Sequence, residues 1–281
     1  MMDKAYLEIT NVCNLQCSFC HGTKREKRQL SAAEFEALTD RLAGEVKFLY
    51  FHLMGEPFLH PLLPQFIRRA WEKGFTPMLT TNGSLLGTRG ETILERLPYK
   101  ISISLHAPAA NKAFADPAYL ENCIAFAKAA ATRECIVVLR LWNLGGEGEG
   151  ENAAILERLH AAFPGEWRTS HRDSQRLADK IFLEWGEHFE WPDPAAPAAP
   201  ADAPFFCYGL RNHIGILCDG TVVPCCLDAE GNIPLGNLFS TPFRDILQSP
   251  RAHAMYEGFS HRCATEELCR RCGYAARFRE G

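Results

Sequence analysis

A chain of 281 residues that is 47% hydrophobic can bury a sizeable core, as one large domain or two smaller ones. A net charge of −4 provides no global basic field for a phosphate backbone, so no nucleic-acid partner is expected. No run of about 18 apolar residues reads as a membrane span, and Met1 to Thr10 lacks the basic-then-apolar form of a signal peptide. A cytoplasmic protein with no membrane partner is the expectation. Its twelve cysteines are clustered: three lie within Cys13–Cys20, seven lie beyond residue 206, and only Cys123 and Cys135 fall between. In a reducing compartment clustered thiols bind metal or do redox chemistry more often than they form disulfides.

In chain order, residues 4–10 read as a short strand running into the first cysteine cluster. Ser31 and Glu34 have capping-box spacing and open a predicted helix to about Ala43. Val46 to Leu53 is a β-branched and aromatic strand. A helix from about Pro64 to Lys73, stopped by Gly74, leads to a strand over 75–81 that ends in Asn82-Gly83. A helix is expected over 91–97 and a strand over 100–105. Asp116-Pro117 should start a helix to about Ala131. A strand over 135–141, a helix over 151–163 and a sixth short strand over 181–184 complete the pattern.

Strands and helices alternating at this length mean parallel strands with right-handed crossovers. Six units are too few for an eight-stranded barrel, so the expected fold class is α/β, a partial (β/α)6 TIM-like barrel. Its chemistry should sit at the carboxyl ends of the strands. Residues 191–204 are a proline- and alanine-rich stretch unsuited to a helix interior. The expected division is a barrel over 1–192, a linker over 193–204 and a small Cys-rich α+β domain over 205–281. In the last, Asp219-Gly220 signals a hairpin and a helix is expected near Phe243–Leu247.

Cys13, Cys17 and Cys20 place three thiols on one eight-residue loop, enough to hold a cluster while leaving one iron without a protein ligand. Zinc is the rival reading, but it usually takes four ligands, and His21 is badly placed as a fourth beside Cys20. The C-x3-C-x2-C spacing, with Phe19 before the last cysteine, resembles the signature of radical S-adenosylmethionine (SAM) enzymes. In that family SAM chelates the open iron of a [4Fe–4S] cluster, and reductive cleavage yields a 5′-deoxyadenosyl radical that abstracts hydrogen. Met54-Gly55-Glu56-Pro57 resembles the family's Gly-Gly-Glu element, with Met54 in place of the first glycine. Thr80-Thr81-Asn82-Gly83 and Ser102-Ile103-Ser104 resemble the elements that end the next two strands. The resemblance, over roughly residues 4–190, gives Phe19, Gly55, Glu56, Thr81, Asn82, Ser104 and Arg140 as the SAM contacts.

The C-terminal part resembles the SPASM/twitch extension of these enzymes, which carries auxiliary clusters. No cysteine follows Cys272, so the shorter twitch form with one auxiliary [4Fe–4S] cluster is implied, held by Cys207, Cys225, Cys269 and Cys272. Cys226 and Cys263 are substitutes, and a structural zinc knuckle is the alternative. Cys123, Cys135 and Cys218 read as core packing.

The basic run Lys24 to Arg28 is either solvated surface or a dock for a flavodoxin- or ferredoxin-type electron donor. His52 and His106 lie near the predicted barrel mouth and could handle a substrate proton or be buried structural imidazoles. Trp185 and Trp191 could wall a pocket or simply pack. The cysteine spacing resembles that of radical dehydrogenases that oxidise an aminocyclitol alcohol. Two-electron oxidation of an alcohol-bearing small molecule is the leading expectation. The chief rival is a peptide- or protein-modifying member; a start at the first barrel strand is expected to leave no room for a leader-binding domain, with a separate partner still open. A two-cluster electron carrier and a zinc-binding module are the remaining alternatives.

Overall fold

The computed structural model describes residues 2–111, 113–171, 173–200 and 203–278. Its frame is one open sheet of eleven strands. The parallel part comprises β1 (Met2–Leu7), β2 (Val46–Phe51), β3 (Thr76–Thr81), β4 (Lys100–Ser104), β5 (Ile136–Leu144) and β8 (Ile181–Glu187), side by side in that order. Those are the six expected strands. Helices α1 (Ala32–Leu42), α2 (Leu63–Glu72), α3 (Leu86–Arg89), α4 (Tyr119–Ala131) and α5 (Asn152–Ala162) lie in the connections. The capping box forms: Ser31 Oγ accepts from the Glu34 amide, and the Glu34 carboxylate accepts from the Ser31 amide.

Period 2 sorts the strand residues between two faces. Ala5, Leu7, Leu49, Phe51, Leu79, Ile101, Ile103, Leu139 and Leu141 are buried in the core that also takes the apolar sides of the helices. Their neighbours Lys4, Tyr6, Tyr50, His52, Thr80, Ser104, Arg140 and Trp142 face the opposite way and line a cavity.

Three features depart from expectation. The helix expected over 91–97 forms earlier, as α3 followed by a 3-10 turn at Gly90–Ile93. Leu86, Gly90 and Ile93 are the buried positions, and Gly90 lies against Phe126 of α4, so packing rather than propensity sets the start. Helix α4 begins two residues beyond Pro117, because Asp116 Oδ1 accepts from Ala118 N in a turn ahead of it. An antiparallel hairpin, β6 (Arg168–His171) and β7 (Ser174–Ala178), extends the sheet beyond β8. All four residues of β6 are exposed, so no apolar alternation marked it.

After the proline-rich stretch, β9 (His213–Ile216) pairs in parallel with β1, on the side away from β2. The expected hairpin joins it to β10 (Thr221–Val223), and β11 (Gly236–Asn237) follows. Gly220 has a φ of +83° with the Phe239 ring against it, so no side chain fits. Helices α6 (Phe243–Leu247), α7 (Pro250–Ser260) and α8 (Glu267–Arg270) complete the described chain.

Candidate functional site

The loop after β1 is held in shape by backbone amides aimed at sulfur. Leu15 N–H donates to Cys13 Sγ at 3.5 Å and Gly22 N–H to Cys20 Sγ at 3.4 Å. Ser18 N–H donates to the Ala110 carbonyl at 2.8 Å, tying the loop to the segment after β4. The three thiols face one another. Burial first, then the proximity of Cys20 and Cys13, pushes the Cys17 thiol up to about 12. Partial desolvation also raises Cys13 and Cys20, although both side chains reach the surface. Phe19 lies over His106 with ring centroids 4.9 Å apart, and its carbonyl accepts from Trp191 Nε1 at 2.9 Å.

The loop after β2 is pinned against this one. Glu56 N–H donates to the Val12 carbonyl at 2.8 Å. Gly55 has a φ of +78°, and a Cβ there would stand 2.4 Å from the Thr10 carbonyl oxygen, so only glycine fits. Met54 is buried with Leu53, Leu217, Val223 and Ala229, where a side chain is accommodated. The Glu56 carboxylate accepts from Thr81 Oγ1 at 2.8 Å, Asn82 N–H at 2.7 Å and Phe58 N–H at 3.1 Å. Burial outweighs these bonds and lifts its pKa to about 7. Asn82 Nδ2 reaches Cys13 Sγ at 3.8 Å. Thus Cys13, Glu56, Thr81 and Asn82 form one group.

Ser104 and Arg140 lie elsewhere on the wall, Cα partners across β4 and β5. Both line a cavity of about 730 Å³ with Phe19, His52, His106 and Trp191. The cavity resolves the two histidines: both face it. His106 Nδ1 stands 3.2 Å from the Arg140 carbonyl oxygen and 3.3 Å from the Trp142 N–H. Burial, with the Arg140 charge, pushes His52 down to about 3 and His106 to about 4, so both are neutral. Trp191 walls the cavity, whereas Trp185 packs on the core.

The same cavity is walled at its other end by Cys207, Cys225, Cys226, Cys269 and Cys272. They come from three separate segments: ahead of β9, after β10, and in and after α8. Burial is the largest cause of the high pKa of Cys225, which is held well above the usual thiol range, and the other four follow it. Cys269 is raised by burial and then by Cys207 and Cys272. The four expected ligands therefore converge, and Cys226 joins them as a fifth thiol. Cys123, Cys135 and Cys218 are buried core residues. Cys218 Sγ donates to the Glu8 carbonyl at 3.0 Å.

The basic run divides. Arg25 turns inward, its Nη2 2.5 Å from Glu8 Oε1 and its Nε donating to the Ala229 carbonyl at 2.8 Å. Lys24, Lys27 and Arg28 remain exposed. Sequence reasoning also missed Tyr119, whose hydroxyl donates to the carbonyls of Asn82 and Ser104 and so ties two strand ends together. It missed Tyr6, Tyr50 and Trp142 as cavity lining too. The only signal for those was their alternation with core residues along the strands.

The donor set fits iron and sulfur. Soft thiols with amide N–H groups aimed at them are what such clusters use. Among the described residues no three His, Cys, Asp or Glu side chains stand close enough to share one ion. Thiols that each take a different corner of a cluster are spread wider than the ligands of a single zinc.

Residues 7–159 match the radical SAM superfamily, and residues 207–273 match SPASM, an iron–sulfur cluster-binding domain. The chain belongs to the radical SAM superfamily and carries a SPASM domain. It is a radical SAM enzyme, with a [4Fe–4S] cluster, SAM and auxiliary iron–sulfur chemistry as its cofactors. Similar proteins include the cofactor-modifying protein of tungsten-containing aldehyde ferredoxin oxidoreductase from Pyrococcus furiosus. It is 35% identical over 89 residues, 30% of this chain and 25% of that protein. The subtilosin biosynthesis protein AlbA of Bacillus subtilis is 23% identical over 96% of this chain and 65% of its own length. The chain thus spans less than two thirds of either relative. The structure of BtrN in complex with AdoMet and 2-DOIA shares the fold, with a TM-score of 0.58 at 19% identity over 97% of this chain and 93% of BtrN. Among the described residues no helix is long and apolar enough to cross a membrane.

Proposed function

We propose that this radical SAM enzyme oxidises an alcohol-bearing small molecule by two electrons, inside the cavity that runs from Phe19 to the C-terminal thiols. Cys13, Cys17 and Cys20 would hold the first cluster, and Cys207, Cys225, Cys269 and Cys272 one auxiliary [4Fe–4S] cluster. When bound, the reduced cluster and SAM supply a radical that removes hydrogen from carbon, and an auxiliary cluster supplies an electron acceptor.

The chain's own residues do the positioning. Glu56 is placed to accept from the SAM ammonium, a pairing that would favour its charged form. Asn82 steadies Glu56 through its amide and Cys13 through its side chain. The apolar walls Phe19, Leu53, Trp142 and Trp191 exclude water from the cavity. Alcohol oxidation also releases a proton, and the His52 imidazole faces the cavity, although burial and the Arg140 charge make it a weak base. The observation that carries the reading is that a single cavity runs from Phe19, in the loop of the first three cysteines, to the C-terminal thiols. A substrate held there would lie between that loop and the C-terminal thiols.

The test is anaerobic reconstitution. About eight irons per chain are expected for two [4Fe–4S] clusters, with release of 5′-deoxyadenosine on adding dithionite and SAM. Cys17→Ala should leave about four irons and no 5′-deoxyadenosine. Zinc in the first loop, or a cluster whose spectrum ignores SAM, would end the proposal. Peptide modification is the second reading, favoured by the likeness to AlbA along 96% of this chain. Deuterium transfer into 5′-deoxyadenosine from labelled small alcohols, set against labelled peptides, separates the two.

A further inference from the structure

The two cysteine sites are tied together through a buried ion pair that belongs to neither. Glu8 directly follows β1, and its side chain has no exposure. Its Oε1 accepts from Arg25 Nη2 at 2.5 Å, and its Oε2 from the Cys218 amide at 3.0 Å. The Arg25 side chain is 16% exposed, and the same guanidinium donates through Nε to the Ala229 carbonyl at 2.8 Å. Beside it, Lys24 N–H donates to Glu230 Oε1 at 3.0 Å. One guanidinium fork thus bridges the end of β1 and the loop after β10.

Both sides of the bridge lead straight to cysteines. Arg25 lies five positions after Cys20, and Ala229 lies four positions after Cys225. The segment beyond Arg25 is fixed in turn. Asn11 Nδ2 donates to the Glu26 carbonyl and Arg28 N–H to Asn11 Oδ1, each at 2.8 Å. Asn11 stands two positions before Cys13. The loop that carries Cys225 is bonded to itself: Asp228 Oδ1 accepts from Asn232 N–H and Oδ2 from Ile233 N–H, each at 2.8 Å. Each loop is therefore held in shape by its own bonds, and Arg25 joins one to the other.

Stability alone does not account for such a pair. Removing a carboxylate and a guanidinium from water costs about as much as their attraction returns, and an apolar pair of similar volume often does as well. An apolar pair, however, tolerates small slides, whereas a fork that must meet two fixed acceptors selects one alignment.

We propose that Arg25 is a positioning residue that sets the register between the first cysteine loop and the Cys225 loop, and with it the placement of the two clusters. This rests on reading the two thiol groups as cluster sites, and it adds the residue that holds them at one separation.

Two variants, each the full chain reconstituted anaerobically, separate register from stability. Glu8→Leu/Arg25→Met replaces the pair by apolar side chains, so no buried charge is left unpaired. Arg25→Lys keeps the charge beside Glu8 but loses the fork. Both should unfold within about 4 °C of wild type. Amide hydrogen exchange over residues 225–233 should nonetheless be about tenfold faster in both, the effect of losing one charged hydrogen bond. Exchange in β2, β3 and β4 should stay at wild-type rates. With both clusters reduced, pulsed electron paramagnetic resonance should give one narrow inter-cluster distance in wild type and a broadened one in both variants. Unchanged exchange over 225–233 in either variant would overturn the proposal, as would an inter-cluster distance as narrow as in wild type. A rise in exchange shared equally by β2, β3 and β4 would overturn it too, because a purely stabilising role produces that pattern. A wild-type chain that holds no second cluster would remove the proposed function, and the exchange comparison would still decide the role of Arg25.

Discussion

The two thiol groups are built in opposite ways. Cys13, Cys17 and Cys20 share one short loop, and two of the three are exposed. Their spacing along the chain already brings the sulfurs together, and β2, β3 and β4 only brace the result through Glu56, Asn82 and Ala110. The C-terminal thiols come from three segments spread over 66 positions of the chain, from Cys207 to Cys272, and meet only after β9 has docked on β1. The first group can form early and stay open to a small ligand. The second needs the finished sheet, and it is a crowded site in which burial and then the other four thiols raise Cys225. An open site on a loop and a closed site at a convergence suit a chelating cosubstrate and an electron acceptor respectively.

That contrast can be broken most directly at the crowded end. Cys272→Ala should drop the iron content from about eight to about four atoms per chain. Reductive release of 5′-deoxyadenosine should persist while oxidised product is lost. Cys226→Ala should keep all the iron. Iron analysis of the two variants side by side decides which thiol is surplus, and equal loss in both would make Cys226 a ligand.

A smaller effect sharpens the open end. Because burial lifts Glu56 to about 7, SAM must find it protonated below that pH and ionised above it. A protonated carboxyl lacks the charge that pairs with an ammonium, so binding releases a proton below about pH 7. Affinity should then fall about tenfold per pH unit below 7 and level off above it. Glu56→Gln should weaken SAM binding roughly tenfold to a hundredfold at pH 8, through loss of one charged bond, and should flatten the pH dependence. Calorimetric titration at pH 6, 7 and 8 checks both.

The smallest effect lies in the brace behind the first loop. Ser31→Ala removes the capping box of α1 and should cost about 1 kcal/mol, read as a lower midpoint in thermal unfolding with SAM affinity unchanged. A change in SAM affinity would mean that α1 orients the cysteine loop more tightly than its hydrogen bonds indicate.

Much of this was legible in the chain. Six strands lay where runs rich in β-branched and aromatic residues alternate with helical segments, because a strand packed on a core needs apolar residues on at least one face. The hairpin at Asp219-Gly220 and the cap at Ser31 were equally local. Helix α3 and the polar hairpin of β6 and β7 were missed, since one is set by packing on Phe126 and the other has no apolar face. Arg25 read as part of a surface charge run, yet it sits against Glu8, a carboxylate with no exposure. No pattern near residue 25 marks that partner.

Sequence by itself determined the three-thiol loop, the glycine at 55 and the alternation that puts polar residues on one strand face. These depend on neighbours a few positions apart, and local geometry settles them. Only the tertiary structure decided that Cys226 joins the other four thiols, that Arg140 Nε is buried without a hydrogen-bond partner, and that one cavity runs from Phe19 to the C-terminal thiols. Each is a relation between segments distant in the chain. It exists only once β9 lies against β1 and the strand faces line a common cavity.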